Sequence, residues 1–261
     1  MQLKRRKLAE NFPTKSKASA SMMCDDASSA ANYQGYPLWK RESYQGQKVI
    51  LNEILQRFHT NLDAFEVNDA LDKIEQLVQI FGQNQNFSMI QRLAILTKIR
   101  MELSNADAIG EQHISHLLQN TSIIDIVLSI LGSDQGFDDM VTFLKLESGW
   151  ILTNMAYGDD KSLEILFDQS NPNINLNFNQ ILESIFNQQP RNLALVDQLM
   201  FLMGNLTGGS PRLRKAIRMN FDLIRVIENI MQTEKEMPKQ FASNFVWIAN
   251  NFTKDAAGLS L

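Results

Sequence analysis

Apolar residues along this chain recur at steps of three and four rather than alternating, which predicts helices and leaves little support for strands. The stripe is clear in VILNEILQRF (49–58), ALDKIEQLVQIF (70–81) and MIQRLAILTKIRMEL (89–103). SIIDIVLSIL (122–131) reads as a short buried helix that stops at Gly132, a residue suited to a left-handed C-terminal position. A longer helix is predicted over 140–156, and 179–186, 196–207, 212–231 and 240–252 continue the series. The prolines fall mainly between these segments, where helices end. Many short helices joined by short loops suit a helical repeat array better than a four-helix bundle.

Three of the helices end alike: GWILTNMAYG (149–158), MFLMGNLTGG (200–209) and VWIANNFTKD (246–255). In register they place Trp150, Phe201 and Trp247 in one column and Asn154, Asn205 and Asn251 in a second, four residues later. The copies fall 51 and then 46 residues apart, and the longer interval contains the polar stretch SNPNINLNFNQ (170–180), which reads as a loop insertion. The shorter interval lies within the range of armadillo and HEAT repeats.

Residues i and i+4 share one helix face, so each ring projects together with its amide. Stacked repeats align equivalent faces into one surface, which would carry a ladder of asparagines flanked by aromatic rings. An Asn amide donates and accepts, so it can pair with both main-chain groups of an extended peptide. Aromatic faces attract a Lys or Arg cation and receive its methylene stem. Glu147, Asp159 and Asp160 would add complementary charge. The plainer alternative is a core tryptophan with an unrelated asparagine, or a helix-capping one. Recurrence in three copies favours the ladder.

Composition narrows the classes. A formal charge of −4 argues against nucleic acid as the default partner while leaving room for a basic one. Cys24 alone excludes an intrachain disulfide, and no apolar run is long enough for a membrane span. Residues 1–45, rich in small polar side chains, predict a disordered arm carrying the basic cluster Lys4, Arg5, Arg6 and Lys7; the folded domain is expected over 46–257. His113 and His116, with remote His59, lack the companions of a metal site, and no phosphate loop or nucleophile–base set is evident, so neither cofactor nor enzyme activity is expected. Met200, Met203, Met219 and Met231 read as core filler.

LKLESGWILTNMAYGDD (144–160) resembles the second armadillo repeat of the importin alpha family. There a phenylalanine-glutamate-x-x-tryptophan-x-leucine-threonine-asparagine run leads to a glycine. LMGNLTGGSPRLRKAIRMN (202–220) and NFVWIANNFTK (244–254) are similar to the next two repeats, and QRLAILTKIRMELSN (91–105) to the first. The similarity spans residues 88–255. It implies an all-α, right-handed armadillo solenoid of about four repeats, a short or truncated member of the family.

The resemblance further implies a nuclear import adaptor, shared between cytoplasm and nucleus, that binds basic localisation peptides at Trp150, Asn154, Phe201, Asn205, Trp247 and Asn251. Gly158 matches the glycine whose backbone approaches the peptide's key lysine. The cluster from Lys4 to Lys7 would be an in-cis competitor from a shortened importin-beta-binding segment, which leaves importin beta an open partner. Three positions depart from the pattern. Phe201 replaces a tryptophan, Gly209 an aspartate that pairs with the lysine, and Leu163 a threonine that contacts it. The alternative expectation is an armadillo interaction scaffold without lysine selectivity.

Overall fold

Helix starts in this chain are set by side chains that accept from the free N–H groups of the first turn. In a computed structural model, which describes residues 69–254 apart from 85, 106, 134–138, 168–177, 189–190, 210 and 234–238, eleven α-helices can be followed. All described residues belong to one unit, Val67–Lys235 with Lys239–Leu261. The predicted arm, its basic cluster, the helix at 49–58 and the domain boundary at 46 lie outside the described residues.

Asp69 Oδ1 accepts from Leu71 N at 2.8 Å and opens α1, Ala70–Gln83. Ser88 and Gln91 form a reciprocal capping box that opens α2, Met89–Leu103. Then follow α3, Glu111–Asn120; α4, Ile123–Leu131; and α5, Asp139–Met155. Asp159 caps the short α6, Asp160–Leu163, which runs into a 3₁₀ turn, Glu164–Phe167. Next are α7, Phe178–Asn187; α8, Leu193–Gly208, capped by Asn192; and α9, Pro211–Asn220. Last come α10, Leu223–Thr233, and α11, Lys239–Thr253. Among the described residues 83% are helical and none is in a strand, so the all-α expectation holds.

Helices three apart in the chain pack on one another. The long ones form the row α2–α5–α8–α11, while α4, α7 and α10 form a second row and α3, α6 and α9 a third. Between the rows lies a core of Leu, Ile, Val and Phe, with Leu96, Val127, Ile151, Leu182, Leu199, Leu213 and Ile248 among its fully buried members. Met200 and Met203 join it, but Met219 and Met231 are exposed and are not core filler.

Several local expectations are corrected. Gly132 has φ −80° and ψ −2°, ordinary right-handed geometry; it is small because Ile181 and the Leu128 carbonyl crowd it at 3.3 Å from where a Cβ would stand. The predicted helix over 212–231 is two. Phe221 turns into the core against Phe186, and Asp222 Oδ1 accepts from Arg225 N at 3.1 Å to start α10. Helices α3 and α6 are additional to the predicted set; Ile114, Leu117 and Leu118 give α3 its buried stripe.

Arginines close several helix ends. Buried Arg214 on α9 donates from Nη1 to Thr207 O at 2.9 Å and Gly209 O at 3.2 Å, satisfying carbonyls at the end of α8 where the helix dipole favours a cation. Arg191 does the same for Phe186 O at 2.7 Å beyond α7. Replacing Arg214 by Met, similar in length but without donors, is expected to cost about 3 kcal/mol through orphaned carbonyls. Urea unfolding with an unchanged slope would show this as a lowered midpoint.

Candidate functional site

The three ring-and-asparagine copies fall on α5, α8 and α11, which pack side by side in that order. Trp150, Phe201 and Trp247 are each partly buried and partly exposed, on three neighbouring helices. Phe201 and Trp247 touch, with ring centroids 5.5 Å apart and planes inclined by 38°. Trp247 also lies on Gly204, where an added Cβ would stand 2.1 Å from the indole Cζ3.

The asparagines are less alike than their sequence register suggests. Asn154 Nδ2 donates back to α2, to Ser104 Oγ at 2.9 Å and Arg100 O at 3.3 Å. Asn251 is 1% exposed; its Nδ2 donates to Gly204 O on α8 at 3.2 Å, and its Oδ1 accepts from Lys254. Asn205 is half-buried, and its buried Nδ2 has no hydrogen-bond partner among the described residues. The repeated asparagine therefore has an internal use at two positions, as a tether to a carbonyl of the preceding long helix. Only Asn205 has no such donor bond to give up.

A second polar column, three residues before each ring, makes the same backward reach. Glu147 Oε2 accepts from buried Arg100 Nε at 2.5 Å, Gln198 Nε2 donates to Thr153 Oγ1 at 2.8 Å, and Asn244 Nδ2 donates to Asp197 Oδ1 at 2.6 Å. Its signal in the sequence is the shared register of Glu147, Gln198 and Asn244, all polar on otherwise apolar faces. Glu147 is thus neutralised by an internal arginine rather than held for a ligand's charge.

Asp159 is likewise occupied. It accepts from Ser115 Oγ, Ser162 Oγ at 2.5 Å and Ser162 N at 3.0 Å, joining α3 to α6. Burial alone would raise its pKa, but these hydroxyls and the backbone N–H groups of Ser162 and Lys161 prevail and hold it at about 2. Its charge complementarity is spent within the fold.

The remaining expected contacts lie away from the ring row. Gly158 is buried under α3, with Ile114 and Leu118 at 3.0 and 3.2 Å from where a Cβ would stand. Its small size thus serves helix packing. Leu163 is fully buried, so no ligand reaches that side chain. Gly209 is buried at the end of α8 with its carbonyl on Arg214. His113 Nδ1 accepts from Gly110 N at 3.2 Å at the start of α3, and His116 lies 2.6 Å from Glu75. Among the described residues no group of His, Cys, Asp and Glu has the arrangement of a metal site, and no single helix is long and apolar enough to cross a membrane. Compared with protein families, curated proteins and solved structures, the chain matches none.

Two stability tests follow from these bonds. Asn251→Ala is expected to destabilise by about 1–3 kcal/mol, because it orphans a buried carbonyl contact, whereas Asn205→Ala stays within about 1 kcal/mol of the parent. Chemical denaturation of both variants separates the tether from the free amide. The second concerns pH. Asp159 has a folded pKa depressed below its unfolded value of 3.8, so its contribution is present above about pH 4 and is lost as pH falls toward 2. Unfolding midpoints between pH 5 and 2, which flatten in Asp159→Asn, measure it.

Proposed function

We propose that this chain is an armadillo-repeat protein, a right-handed helical solenoid resembling importin alpha, that binds basic localisation segments as extended peptides and acts as a nuclear import adaptor. One observation carries the reading: the ring-and-asparagine register of three sequence copies lies on three long helices that pack in succession, with all three rings partly exposed. A peptide lying across the helices would meet a ring at each step and an amide at the first two. Asn205 would turn its unused NH₂ to a peptide carbonyl without breaking an internal bond, and Asn154 Oδ1 would accept a peptide N–H. Trp150 would receive a Lys or Arg side chain, a contact worth roughly 0.5–2 kcal/mol according to its desolvation. Asn251, fully committed to Gly204 and Lys254, supports the groove rather than the ligand. The cluster at Lys4–Lys7 would compete in cis, and importin beta would be a further partner.

A second reading, an interaction scaffold without lysine selection, is favoured by the internal bonds of Asn154, Asn251, Glu147 and Asp159 and by the burial of Leu163. Anisotropy titrations of a lysine-rich and a neutral peptide of equal length distinguish the two. The adaptor is expected to bind the lysine-rich peptide at micromolar Kd or better, with an on-rate that falls with salt. Trp150→Ala and Asn205→Ala should each weaken it by about tenfold, equivalent to about 1.4 kcal/mol. Equal affinity for the neutral peptide would favour the scaffold, and unchanged binding in both variants would remove the ring-and-asparagine strip from consideration.

A further inference from the structure

Among the differences between the two intervals of the ring row, one places a glycine directly under a ring. In the register that aligns Trp150 with Phe201, Gly204 corresponds to Thr153. Gly204 leaves a notch in α8 that the Trp247 indole fills: Cζ3, Cε3 and Cη2 would lie 2.1, 2.6 and 2.7 Å from a Cβ there. Seated in this way, the indole meets Phe201 at 5.5 Å between centroids. A methylene stem held between two rings needs contacts of about 3.5–4.0 Å on each side, so the rings must stand about 7–8 Å apart. The Phe201–Trp247 interval is too narrow for that. It is also pinned, since Asn251 one turn on bonds Gly204 O at 3.2 Å and its Nδ2 lies 3.1 Å from where a Gly208 Cβ would stand. In the first copy the notch is filled by the Thr153 side chain, whose hydroxyl donates to Gly149 O at 2.8 Å and accepts from Gln198.

We propose that Gly204 sets the side-chain specificity of the strip: it seats Trp247 against Phe201 as a closed aromatic shelf that takes a flat-lying apolar side chain and excludes a Lys or Arg stem between the rings. Basic selection is then confined to the Trp150 end. Packed helices lie about 8–10 Å apart, and the shelf sits between α8 and α11, about one and a half spacings from Trp150. An extended chain rises about 3.3 Å per residue with alternate side chains on one face; the ligand is therefore an extended peptide with a basic and an apolar residue about four positions apart. This inference rests on the peptide-binding reading above.

The test uses the full chain and two seven-residue labelled peptides, one with Lys and Leu four positions apart and one with Lys at both places. The Lys/Leu peptide is expected to bind about fivefold tighter or more. Gly204→Ala, which lifts the indole, removes that preference, and so does Phe201→Ala, which leaves the notch intact. Preference for the Lys/Lys peptide in the parent protein overturns the proposal while leaving peptide binding standing. A separate readout follows Trp247 as sole tryptophan in a Trp39→Phe, Trp150→Phe background. Gly204→Ala should raise acrylamide quenching at least about twofold as the ring leaves its apolar seat. Unchanged quenching overturns the seat itself. Absence of binding by either peptide, with quenching raised, overturns the specificity proposal through the peptide reading while leaving the seat intact.

Discussion

Each long helix in this protein must settle along its neighbour in one register, and polar side chains reaching back to the preceding helix set that register. Leucine and isoleucine faces exclude water but tolerate small slides, because dispersion contacts are numerous and individually weak. A hydrogen bond in a poorly hydrated seam is less forgiving. Glu147 on Arg100, Gln198 on Thr153, Asn154 on Arg100 O and Asn251 on Gly204 O therefore act as stops. Trp150, Phe201 and Trp247 ride on the same three helices, so the bonds that hold those helices in register also hold the ring row.

That dependence revises how the asparagine column is understood. Its recurrence was readable from the sequence, and so was its placement on successive helices. Its division of labour was not, because amides at the same register face different neighbours: Ser104 and a carbonyl for Asn154, Gly204 O and Lys254 for Asn251, and no hydrogen-bond donor contact for Asn205 Nδ2 among the described residues. Asparagine at a fixed register thus serves packing as well, where its amide ties a helix to a carbonyl of the one before it.

Other features were legible to different depths. Long helices with sustained apolar periodicity, such as α2 and α5, appeared in the sequence nearly as they are in the structure. The break between α9 and α10 was hidden because Phe221 continues the apolar count while leaving the helix for the core; only the Asp222 cap marks it. Gly132 illustrates another ambiguity. A glycine after a helix signals either positive φ or close packing, and Ile181 decided for packing. The acidic residues near the ring row could not be assigned from sequence, since their partners Arg100, Ser115 and Ser162 sit on other helices or beyond the local motif.

Helix α9 has a reach greater than its ten residues suggest. Arg214 near its start closes the end of α8, and Arg218 near its end donates to Phe252 O and covers the Phe252 ring on α11, 5.1 Å from guanidinium carbon to centroid. One short helix thus fastens the last turns of two successive long ones. Because both ends are fastened through one shared helix, neither opens locally without loosening the other. Loss of α9 would then release the last turns of both long helices together, and with them the Asn251 bond to Gly204 O that joins the two.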